Sequence, residues 1–458
     1  MSIPVRQKPG QLLPNLLSCT PALERLLRII EKTFPVPGRF RSNLPGDVAE
    51  LSRLLTSARS GREGGYLSRP NLLSAYLRYF LPWNVFRLYR LFSLVSGADS
   101  PPEETGDPSG ESGDMPGGPA GPFLGLTGGD AITDIGSGPL TLPVALWLWR
   151  PELRKLNLEF RCVDHCAPAL EAGRKIFAAL EAAENGSSWK IRTIHDSVNA
   201  PVHGKKARLV TAVNVFNEIC RRDDSASAAD KAVKILEKLC SEEGAILVME
   251  PGIPESGAFI AALRYALLER GTGVVSPCTH EGPCPLPGEG RFHKGQGRVP
   301  GRAGLSSRFP PAVTAGGNAK WCHFAFDTAE APEELHRLSA AAGIPKERAV
   351  FSFLLTGKTG PGGPATVRVI SDACPVSGGW GRYGCGAGRG IADGYDAGDG
   401  RDAGDSLGKN GLYLIRGSKG EIERIAPGTV VKAGEGAQAE FDKKTGAIIV
   451  EPGGDLKI

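Results

Sequence analysis

The sequence contains no run of 18 or more apolar residues, so it predicts no membrane-spanning helix. Its start, MSIPVRQKPGQLLPNLL, lacks the compact apolar stretch and the cleavage site of a secretory signal. The chain nevertheless carries ten cysteines. Without an export signal we expect a reducing compartment, where cysteines are usually buried, catalytic or bound to metal rather than paired in disulfides.

The composition indicates a large chain with long irregular segments. Its 458 residues suggest two or three domains, and a hydrophobic content of 41% is enough for at least one sizeable core. Gly (61) and Pro (36) together exceed a fifth of the chain, which favours irregular segments beside that core. The net charge of +4 says little by itself about partners.

Charge is distributed unevenly along the chain. Residues 1–95 hold 14 Lys and Arg against 5 Asp and Glu, whereas residues 97–119 hold six acids and no base. Residues 285–320 are rich in Gly and Pro and hold six Lys and Arg against one Glu, which indicates a flexible basic insertion. A basic surface can serve solubility or bind nucleic acid, and composition alone leaves both interpretations open.

Helical patterns dominate residues 10–95, where apolar residues recur at spacings of three and four. Pro70 and Pro82 are predicted to divide the last part into separate helices. Four aromatic residues there could pack in the core or stack on bases, and helical spacing favours the core. They are Tyr76, Tyr79, Phe80 and Trp83.

Strands and helices alternate from residue 130 onwards. The segments AITDIGSG, LEFRCVDHC, WKIRTIHDS, ARLVTAVNV and GAILVMEPG read as strands, and helical stretches such as APALEAGRKIFAALEAA and KAVKILEKLCSEE separate them. This alternation predicts a parallel sheet covered on both faces, with a ligand site at the carboxyl ends of the strands. After residue 411, short segments such as GEIERI are predicted to be strands.

These patterns divide the chain into six predicted segments. They are a basic helical region at 1–95, an acidic Pro/Gly-rich linker at 96–129, an α/β domain at 130–275, a cysteine-rich region at 276–385 that includes the basic insertion, an acidic low-complexity loop at 386–410 and a small β tail at 411–458.

The strongest motif is DIGSGP, Asp134 to Pro139, at the end of the first predicted strand. Glycines there let the backbone approach a ligand closely, because glycine has no Cβ atom. Position 141, where a dinucleotide fingerprint has a third glycine, is Thr, which argues against NAD. The motif resembles motif I of class I S-adenosylmethionine (SAM)-dependent methyltransferases, and it implies their Rossmann-like α/β fold.

That resemblance extends to acidic and polar residues after the later strands. It implies a ribose-binding acid at Asp164 with His165 beside it, an adenine contact at Asp196, and a position beside the methyl-transfer site for Asn217 and Glu218. Asp164 and Asp196 could instead cap helices at the same chain positions. The predicted SAM-binding residues are Asp134, Gly136, Ser137, Gly138, Asp164, His165, Asp196, Asn217 and Glu218.

No residue is assigned to catalysis. A cytosine C5 methyltransferase needs a nucleophilic cysteine, usually beside a proline, and Cys220 in NEICRRDD has no such neighbour. An amino-methylating enzyme would show N-P-P-Y after the fourth strand, where this chain has N-V-F-N-E. A bound SAM that donates no methyl group is therefore an open alternative.

The cysteine spacing suggests a metal site but does not identify the metal. Cys278, Cys284, Cys322, Cys374 and Cys385 are dispersed and lack the paired C-x-x-C of zinc ribbons. Four converging thiolates suit an iron–sulfur cluster or a zinc ion, with His280 or His323 as possible substitute ligands. Buried thiols and a redox disulfide are the alternatives.

Several motifs together resemble the Rsm-type methyltransferase-like proteins associated with the small ribosomal subunit of bacteria and mitochondria. They are ITDIGSGP, NVFNEI, LVMEPG, VVSPCTHEGPCP, WCHF and FSFLL, together with YLRYFLPWNVFRLYRLF upstream, and they cover roughly residues 65–385. The resemblance implies a SAM-binding domain that docks on small-subunit rRNA during assembly and holds a 4Fe-4S cluster.

The resemblance also implies the cluster ligands. By position three of them are Cys278, Cys284 and Cys322, and Cys385 fits the fourth better than Cys374. His280 is then expected to donate a hydrogen bond near the cluster rather than to bind it. The 37 residues between Cys284 and Cys322 depart from the family pattern, but loop closure costs rise only slowly with length.

The prediction for function is a SAM-binding, rRNA-binding factor in small-subunit assembly with a structural 4Fe-4S cluster. The alternatives are an active 16S-type rRNA methyltransferase and a zinc-stabilised RNA-binding module with a relic cofactor pocket. The expected partners are small-subunit rRNA and assembly intermediates, with no membrane. We expect a cytoplasmic location, or a mitochondrial one in a eukaryote, and the sequence sets no oligomeric state.

Overall fold

The structure is a computed structural model. It describes residues 18–56, 66–96, 125–184, 186, 188–200, 202–220, 223–282, 284, 286, 321–357, 366–386, 411–425, 427–433, 440–442, 447–450 and 456–457. Most of the acidic linker, the basic insertion and the acidic loop lies outside these residues. The same holds for five basic residues of the predicted insertion, Arg291, Lys294, Arg298, Arg302 and Arg308.

The N-terminal region is helical, as its periodicity predicts. Its helices are α1 (Thr20–Thr33), α2 (Gly38–Arg41), α3 (Leu44–Thr56), α4 (Pro70–Ala75) and α5 (Leu81–Val95). The prediction that Pro82 divides a helix is wrong, because a π-helical turn at Tyr76–Phe80 joins α4 to α5 continuously. Pro82 lies in the first turn of α5, where the missing N–H is tolerated.

The first sheet has eight strands. They are β1 (Ala131–Ile135), β2 (Glu159–Asp164), β3 (Lys190–His195), β4 (Ala207–Val213), β5 (Cys240–Pro251), β6 (Val274–Ser276), β7 (Phe324–Asp327) and β8 (Arg348–Thr356). Their order is β3-β2-β1-β4-β5-β8-β6, with β7 also beside β8. Strands β1 to β5 are parallel, and β8 runs antiparallel to β5, β6 and β7.

Helices cover both faces of this sheet. They are α6 (Thr141–Trp149), α7 (Ala167–Ala182), α8 (Phe216–Ile219), α9 (Ser225–Leu239), α10 (Pro254–Leu268) and α11 (Glu333–Ala341). One face packs with α6, α7 and the N-terminal helices, and the other with α8, α9 and α10. This is the class I methyltransferase fold that the sequence predicts, and its strand order reverses between β1 and β4, where such sheets bind ligands.

Two boundaries differ from the sequence prediction. The segment SEE of KAVKILEKLCSEE is strand rather than helix, because α9 ends at Leu239 and β5 already pairs with β4 at Cys240 and Ala207. The first sheet also extends past the predicted domain boundary at residue 275. Strands β6, β7 and β8 belong to it, although they lie mainly in the predicted cysteine-rich region.

A second sheet follows. Its strands are β9 (Thr366–Val369), β10 (Cys374–Val376), β11 (Gly379–Gly386), β12 (Leu412–Gly417), β13 (Val430–Ala433), β14 (Glu440–Phe441), β15 (Ile448–Val450) and β16 (Leu456–Lys457). The order is β14-β15-β12-β11-β9-β13-β16, with β10 beside β11. The predicted strand GEIERI is instead helix α12 (Lys419–Arg424), since Ser418 and Glu421 form a capping box at its start.

The aromatic residues of the N-terminal helices mainly form core. Tyr79 and Trp83 are buried and Tyr76 and Phe80 half-buried, which favours packing over base stacking. Helix α5 packs on α6, and α1 packs on α7. None of the helices in the described ranges is long and apolar enough to cross a bilayer.

Candidate functional site

A glycine loop follows β1 at the switch point of the first sheet. Gly136 has a φ of 65°, and a Cβ atom there would stand 2.4 Å from Cγ2 of Val215. Gly138 has a φ of 51°, also in the left-handed region. Only glycine adopts such a conformation freely, so the loop depends on both residues. The backbone thus lies bare at the edge of the cleft, where a ligand can approach it closely.

Asp134 and Ser137 are buried around this loop. Oδ1 of Asp134 accepts a hydrogen bond from Oγ1 of Thr211 at 2.7 Å, and the Ser137 hydroxyl donates to the Asp134 carbonyl at 2.8 Å. Burial raises the pKa of Asp134 to about 7, although the Thr211 hydrogen bond opposes this. Asp134 therefore connects β1 to β4 beneath the loop.

Asp164 ends β2 and lies beside the same loop. Its Oδ2 accepts from the Gly138 N–H and its Oδ1 from the Cys166 N–H, both at 2.8 Å. Helix α7 begins after Cys166 without a side-chain cap, so the alternative of helix capping does not describe Asp164. A carboxylate has about four acceptor positions, so two remain for hydroxyl donors.

His165 and Asp196 lie farther out on the surface. The His165 side chain is 61% exposed, and its Nδ1 is 3.6 Å from Oδ1 of Asp164. Asp196 follows β3, and its carboxylate accepts from the Ser197 N–H at 2.7 Å. Its own N–H donates to the Asp164 carbonyl at 3.0 Å, which brings the ends of β2 and β3 together.

Asn217 and Glu218 lie in α8, just after β4. A buried carboxylate that the sequence analysis did not single out, Glu250 at the end of β5, organises this segment. It accepts backbone N–H bonds from Val215, Phe216 and Asn217 at 3.1, 2.8 and 3.2 Å. Its position in LVMEPG could have identified it from the sequence, because the other candidate residues also lie at the carboxyl ends of the parallel strands. Oδ1 of Asn217 is buried and has no partner within the described residues.

The N-terminal helices form a second wall of the cleft, which the sequence analysis did not predict. The Tyr76 hydroxyl is 3.9 Å from the position that a Cβ of Gly138 would occupy. Burial raises its pKa strongly, and the nearby acids Glu218 and Asp164 add to the effect. Nδ2 of Asn84 donates to this hydroxyl at 3.5 Å, and Asn214, after β4, donates to Oδ1 of Asn84 at 3.5 Å.

Cys220 is not a nucleophile in this arrangement. Its thiol is buried, and burial raises its pKa to about 12. The thiolate is the reactive form, so a thiol held protonated argues against the cytosine C5 mechanism.

The structure brings four of the predicted cysteines together. Cys278 and Cys284 lie in the loop after β6, Cys322 precedes β7, and Cys385 lies in β11 of the second sheet. Burial raises the pKa of Cys385 most, and the neighbouring Cys284, Cys278 and Cys322 raise it further. The Cys385 thiol therefore lies close enough to the other three for their charges to act on it.

Two further residues hold this cysteine site. Arg264 of α10, buried, donates from Nε to Sγ of Cys278 at 3.2 Å and from Nη2 to the carbonyls of His280 and Gly282 at 2.8 Å each. Nε2 of His280 is 3.5 Å from Sγ of Cys385, where the sequence analysis expects a donor. Burial lowers the pKa of His280 to about 4, which keeps the ring neutral.

Cys374 begins β10, and its Sγ contacts the Gly381 carbonyl at 3.6 Å. His323 contacts the Trp321 carbonyl through Nδ1 at 3.0 Å. Within the described part of the chain, no three His, Cys, Asp or Glu side chains are arranged around a single metal ion.

The basic N-terminal region is partly neutralised by the protein itself. Several of its arginines form ion pairs with glutamates: Arg25–Glu184, Arg41–Glu31, Arg69–Glu50, Arg78–Glu31 and Arg90–Glu330. These cations offer less charge to a nucleic acid than the composition alone suggests.

Comparison with known proteins gives one family match. Residues 130–299 match the family Rsm22, described as mitochondrial small ribosomal subunit Rsm22. The matched segment contains the glycine loop, Asp164, Glu250, Cys278 and Cys284. No curated protein sequence matches the chain significantly.

Solved methyltransferase structures show weak similarity. A SAM-dependent methyltransferase from Geobacter sulfurreducens with S-adenosyl-L-homocysteine is 19% identical over 33% of this chain and 61% of its own, with a TM-score of 0.24. A SAM-dependent methyltransferase from Thiobacillus denitrificans is 14% identical over 48% of this chain and 68% of its own, with a TM-score of 0.26. The 16S rRNA methyltransferase KamB is 12% identical over 52% of this chain and 91% of its own, with a TM-score of 0.29.

The chain thus spans less than two thirds of the Geobacter protein. Scores this low establish neither function nor a superposition of whole domains, and the fold follows from the strand order described above. The family match agrees with the resemblance carried by ITDIGSGP and PCTHEGPCP: residues 130–299 of this chain are similar to the Rsm22 family.

Proposed function

We propose that this protein binds SAM in the cleft at the β1–β4 switch point, binds small-subunit rRNA and acts in assembly of that subunit. The observation that carries the proposal is the Rsm22 match across residues 130–299, which spans the cleft and the first two cysteines. The place of action is then the compartment of the ribosome, the cytoplasm or the mitochondrion. Assembly intermediates of the small subunit are the proposed partners.

The donor set of the cleft fits SAM. At Gly138 the Tyr76 hydroxyl, at 3.9 Å, is the one atom of the described residues within 4 Å of a Cβ position, which leaves room for the cofactor, and the unused acceptor positions of Asp164 suit two ribose hydroxyls. Oδ1 of Asn217 is a buried acceptor without a partner in the described residues, which suits an ammonium donor. When bound, SAM supplies an electrophilic methyl group, and this chain's residues orient it and exclude water.

The cysteine site fits a 4Fe-4S cluster held by Cys278, Cys284, Cys322 and Cys385. Arg264 supports this, because its buried guanidinium donates to the Cys278 thiol, and a buried cation beside several thiols favours anionic sulfur. A single zinc ion would hold four sulfurs roughly 3.8 Å apart. A 4Fe-4S cluster would instead bind each thiolate to a different iron, so its four sulfurs would stand farther apart.

Filter binding with transcribed rRNA tests the RNA part of the proposal. The full chain is titrated with small-subunit and large-subunit rRNA at several salt concentrations. Preferential binding of small-subunit rRNA, with affinity that falls steeply with salt, is expected. Equal affinity for both transcripts at every salt concentration would contradict it.

The same preparation decides between binding and catalysis. Isothermal titration with S-adenosylhomocysteine (SAH) measures the cofactor site directly. Labelled SAM then reports whether a methyl group enters the small-subunit rRNA. Incorporation that Asp134→Ala abolishes would assign an rRNA methyltransferase, whereas SAH binding without incorporation supports an assembly factor that only binds the cofactor. Absence of SAH binding contradicts the cofactor proposal.

Anaerobic purification tests the cluster. A brown protein with iron and acid-labile sulfide that absorbs near ~400 nm supports the 4Fe-4S proposal. A colourless preparation that contains stoichiometric zinc overturns it in favour of the zinc-stabilised alternative.

A further inference from the structure

Two cations, one on the N-terminal wall of the cleft and one in a loop beside it, lack an acidic partner among the described residues. Arg87 lies on α5 and Lys346 in the loop between α11 and β8, and both side chains are half-buried. Within the described ranges, neither forms an ion pair with a carboxylate, and Arg87 has only an amide oxygen as its partner. By contrast, the neighbouring arginines Arg78 and Arg90 are paired with glutamates.

Arg87 is connected to the cofactor loop through two side chains. Its Nη1 donates to Oδ1 of Asn84 at 2.7 Å. The Asn84 amide donates to the Tyr76 hydroxyl at 3.5 Å, and that hydroxyl lies beside Gly138. The guanidinium therefore stands at the rim of the cleft, next to the glycine loop but not in it.

Lys346 is held by aromatic rings near Arg87. Its Nζ lies 5.9 Å from the ring centre of Tyr79 and 6.0 Å from that of Trp83, both buried rings. The Tyr79 hydroxyl donates to the Ile344 carbonyl at 3.4 Å, which fixes the loop that carries the lysine. The ammonium is thus positioned by packing rather than by an opposite charge.

The two cations disfavour each other's charge. Burial lowers the pKa of Lys346 to about 7, and the neighbouring Arg87 adds to the effect. Burial also lowers the pKa of Arg87. Two like charges in a partly desolvated position are unfavourable without an anion between or beside them. An anion supplied from outside the chain would relieve both effects.

We propose that Arg87 and Lys346 bind one backbone phosphate of a single-stranded rRNA segment that enters the cleft. A guanidinium offers paired N–H donors to phosphate oxygens, and an ammonium adds a mobile point charge. The inference rests on the proposed rRNA binding and names where the strand meets the cleft. The competing anion is the carboxylate of the cofactor.

The test compares the double variant Arg87→Gln/Lys346→Gln with a control that removes the same charge elsewhere, Arg174→Gln/Lys175→Gln on α7. The control side chains are 60% and 55% exposed. Binding of a small-subunit rRNA transcript is measured by filter binding across salt concentrations. The slope of log K against log salt should become shallower by about 0.7 in the double variant, the value for one lost phosphate contact.

SAH titration of the same variants separates the two anions. SAH affinity should stay at the wild-type value in the double variant. A loss of SAH affinity with an unchanged salt slope assigns the anion to the cofactor and overturns the proposal. So does a double variant that matches its control in both measurements.

A third measurement distinguishes failure of this anion site from failure of the proposed rRNA binding. If wild type binds no rRNA, the proposed function fails, and inorganic pyrophosphate then probes the site alone by tryptophan fluorescence. A saturable change in wild type and control that the double variant lacks supports an anion site. Identical titrations of all three proteins refute it.

Discussion

Glu250 offers the sharpest test of how the cleft is built. Its carboxylate accepts three backbone N–H bonds at the start of α8, two at Oε1 from Val215 and Phe216 and one at Oε2 from Asn217. These N–H groups belong to the first turn of a short helix and have no intrahelical partner. The position of Asn217 and Glu218 therefore depends on one buried side chain.

Glu250→Gln should destabilise the protein and weaken cofactor binding. The amide oxygen can replace Oε1, but the amide NH2 then faces the Asn217 N–H, so one bond becomes a donor–donor contact. One unsatisfied buried donor costs about 1–3 kcal/mol. For a domain of this class the melting temperature should fall by about 2–12 °C. SAH affinity should fall as well, because α8 loses its anchor.

The pH dependence gives an independent check of the mechanism. Burial raises the pKa of Glu250 to about 8, although its three backbone hydrogen bonds oppose the shift. Because the folded-state pKa of Glu250 lies above the unfolded value of 4.5, the stability that Glu250 contributes is complete below pH 4.5. It is lost as the pH rises through about 8. The stability advantage of wild type over Glu250→Gln should therefore shrink with rising pH, by at most about 1.4 kcal/mol per pH unit.

Urea unfolding and SAH titration at several pH values measure both effects. Glu242→Gln is the matched control, since Glu242 is an exposed residue of the same strand, β5. The control should match wild type in stability and SAH affinity. A Glu250→Gln variant that matches wild type even at the lowest pH, or a stability gap that widens as pH rises, would refute the reasoning.

Three further predictions concern the loop and the cysteine site. Gly136→Ala should abolish measurable SAH binding by calorimetry, because its Cβ would stand 2.4 Å from Val215 in a left-handed backbone; wild-type affinity would contradict the account. Cys385→Ser should lose most of the iron found after anaerobic purification, whereas Cys374→Ser should retain it, and equal iron contents would reject this assignment. Arg264→Gln should lower the iron content and the melting temperature together, since it removes the donors to Cys278 and to two loop carbonyls; an unchanged protein in both assays would show that Arg264 does not organise the loop.

Local patterns in the sequence were sufficient for the methyltransferase-like fold. The alternation of strands and helices, and the glycines of DIGSG, depend on backbone requirements that short segments express. The prediction failed where neighbours in space decide the structure. GEIERI is helical because Ser418 caps it, and SEE is strand because it lies between Cys240 and Ala245, which both pair with β4.

The candidate site was predictable only in part for the same reason. Asp164 and Gly138 lie at strand ends, where polar residues stand out in the sequence, and the structure joins them by a hydrogen bond. Tyr76 and Asn84 come from helices that precede the sheet by about 40 or more residues, and nothing in their local pattern distinguishes a cleft wall from core. Arg264 likewise resembles an ordinary helix arginine until its contact with Cys278 is seen.

Sedimentation of cell extract tests the central claim most directly. The full chain is followed through sucrose gradients at low and at high salt, with ribosomal particles resolved. The account predicts that the protein travels with small-subunit assembly particles at low salt and leaves them as salt rises. A protein that stays at the top of the gradient at low salt, apart from small-subunit particles, would contradict it.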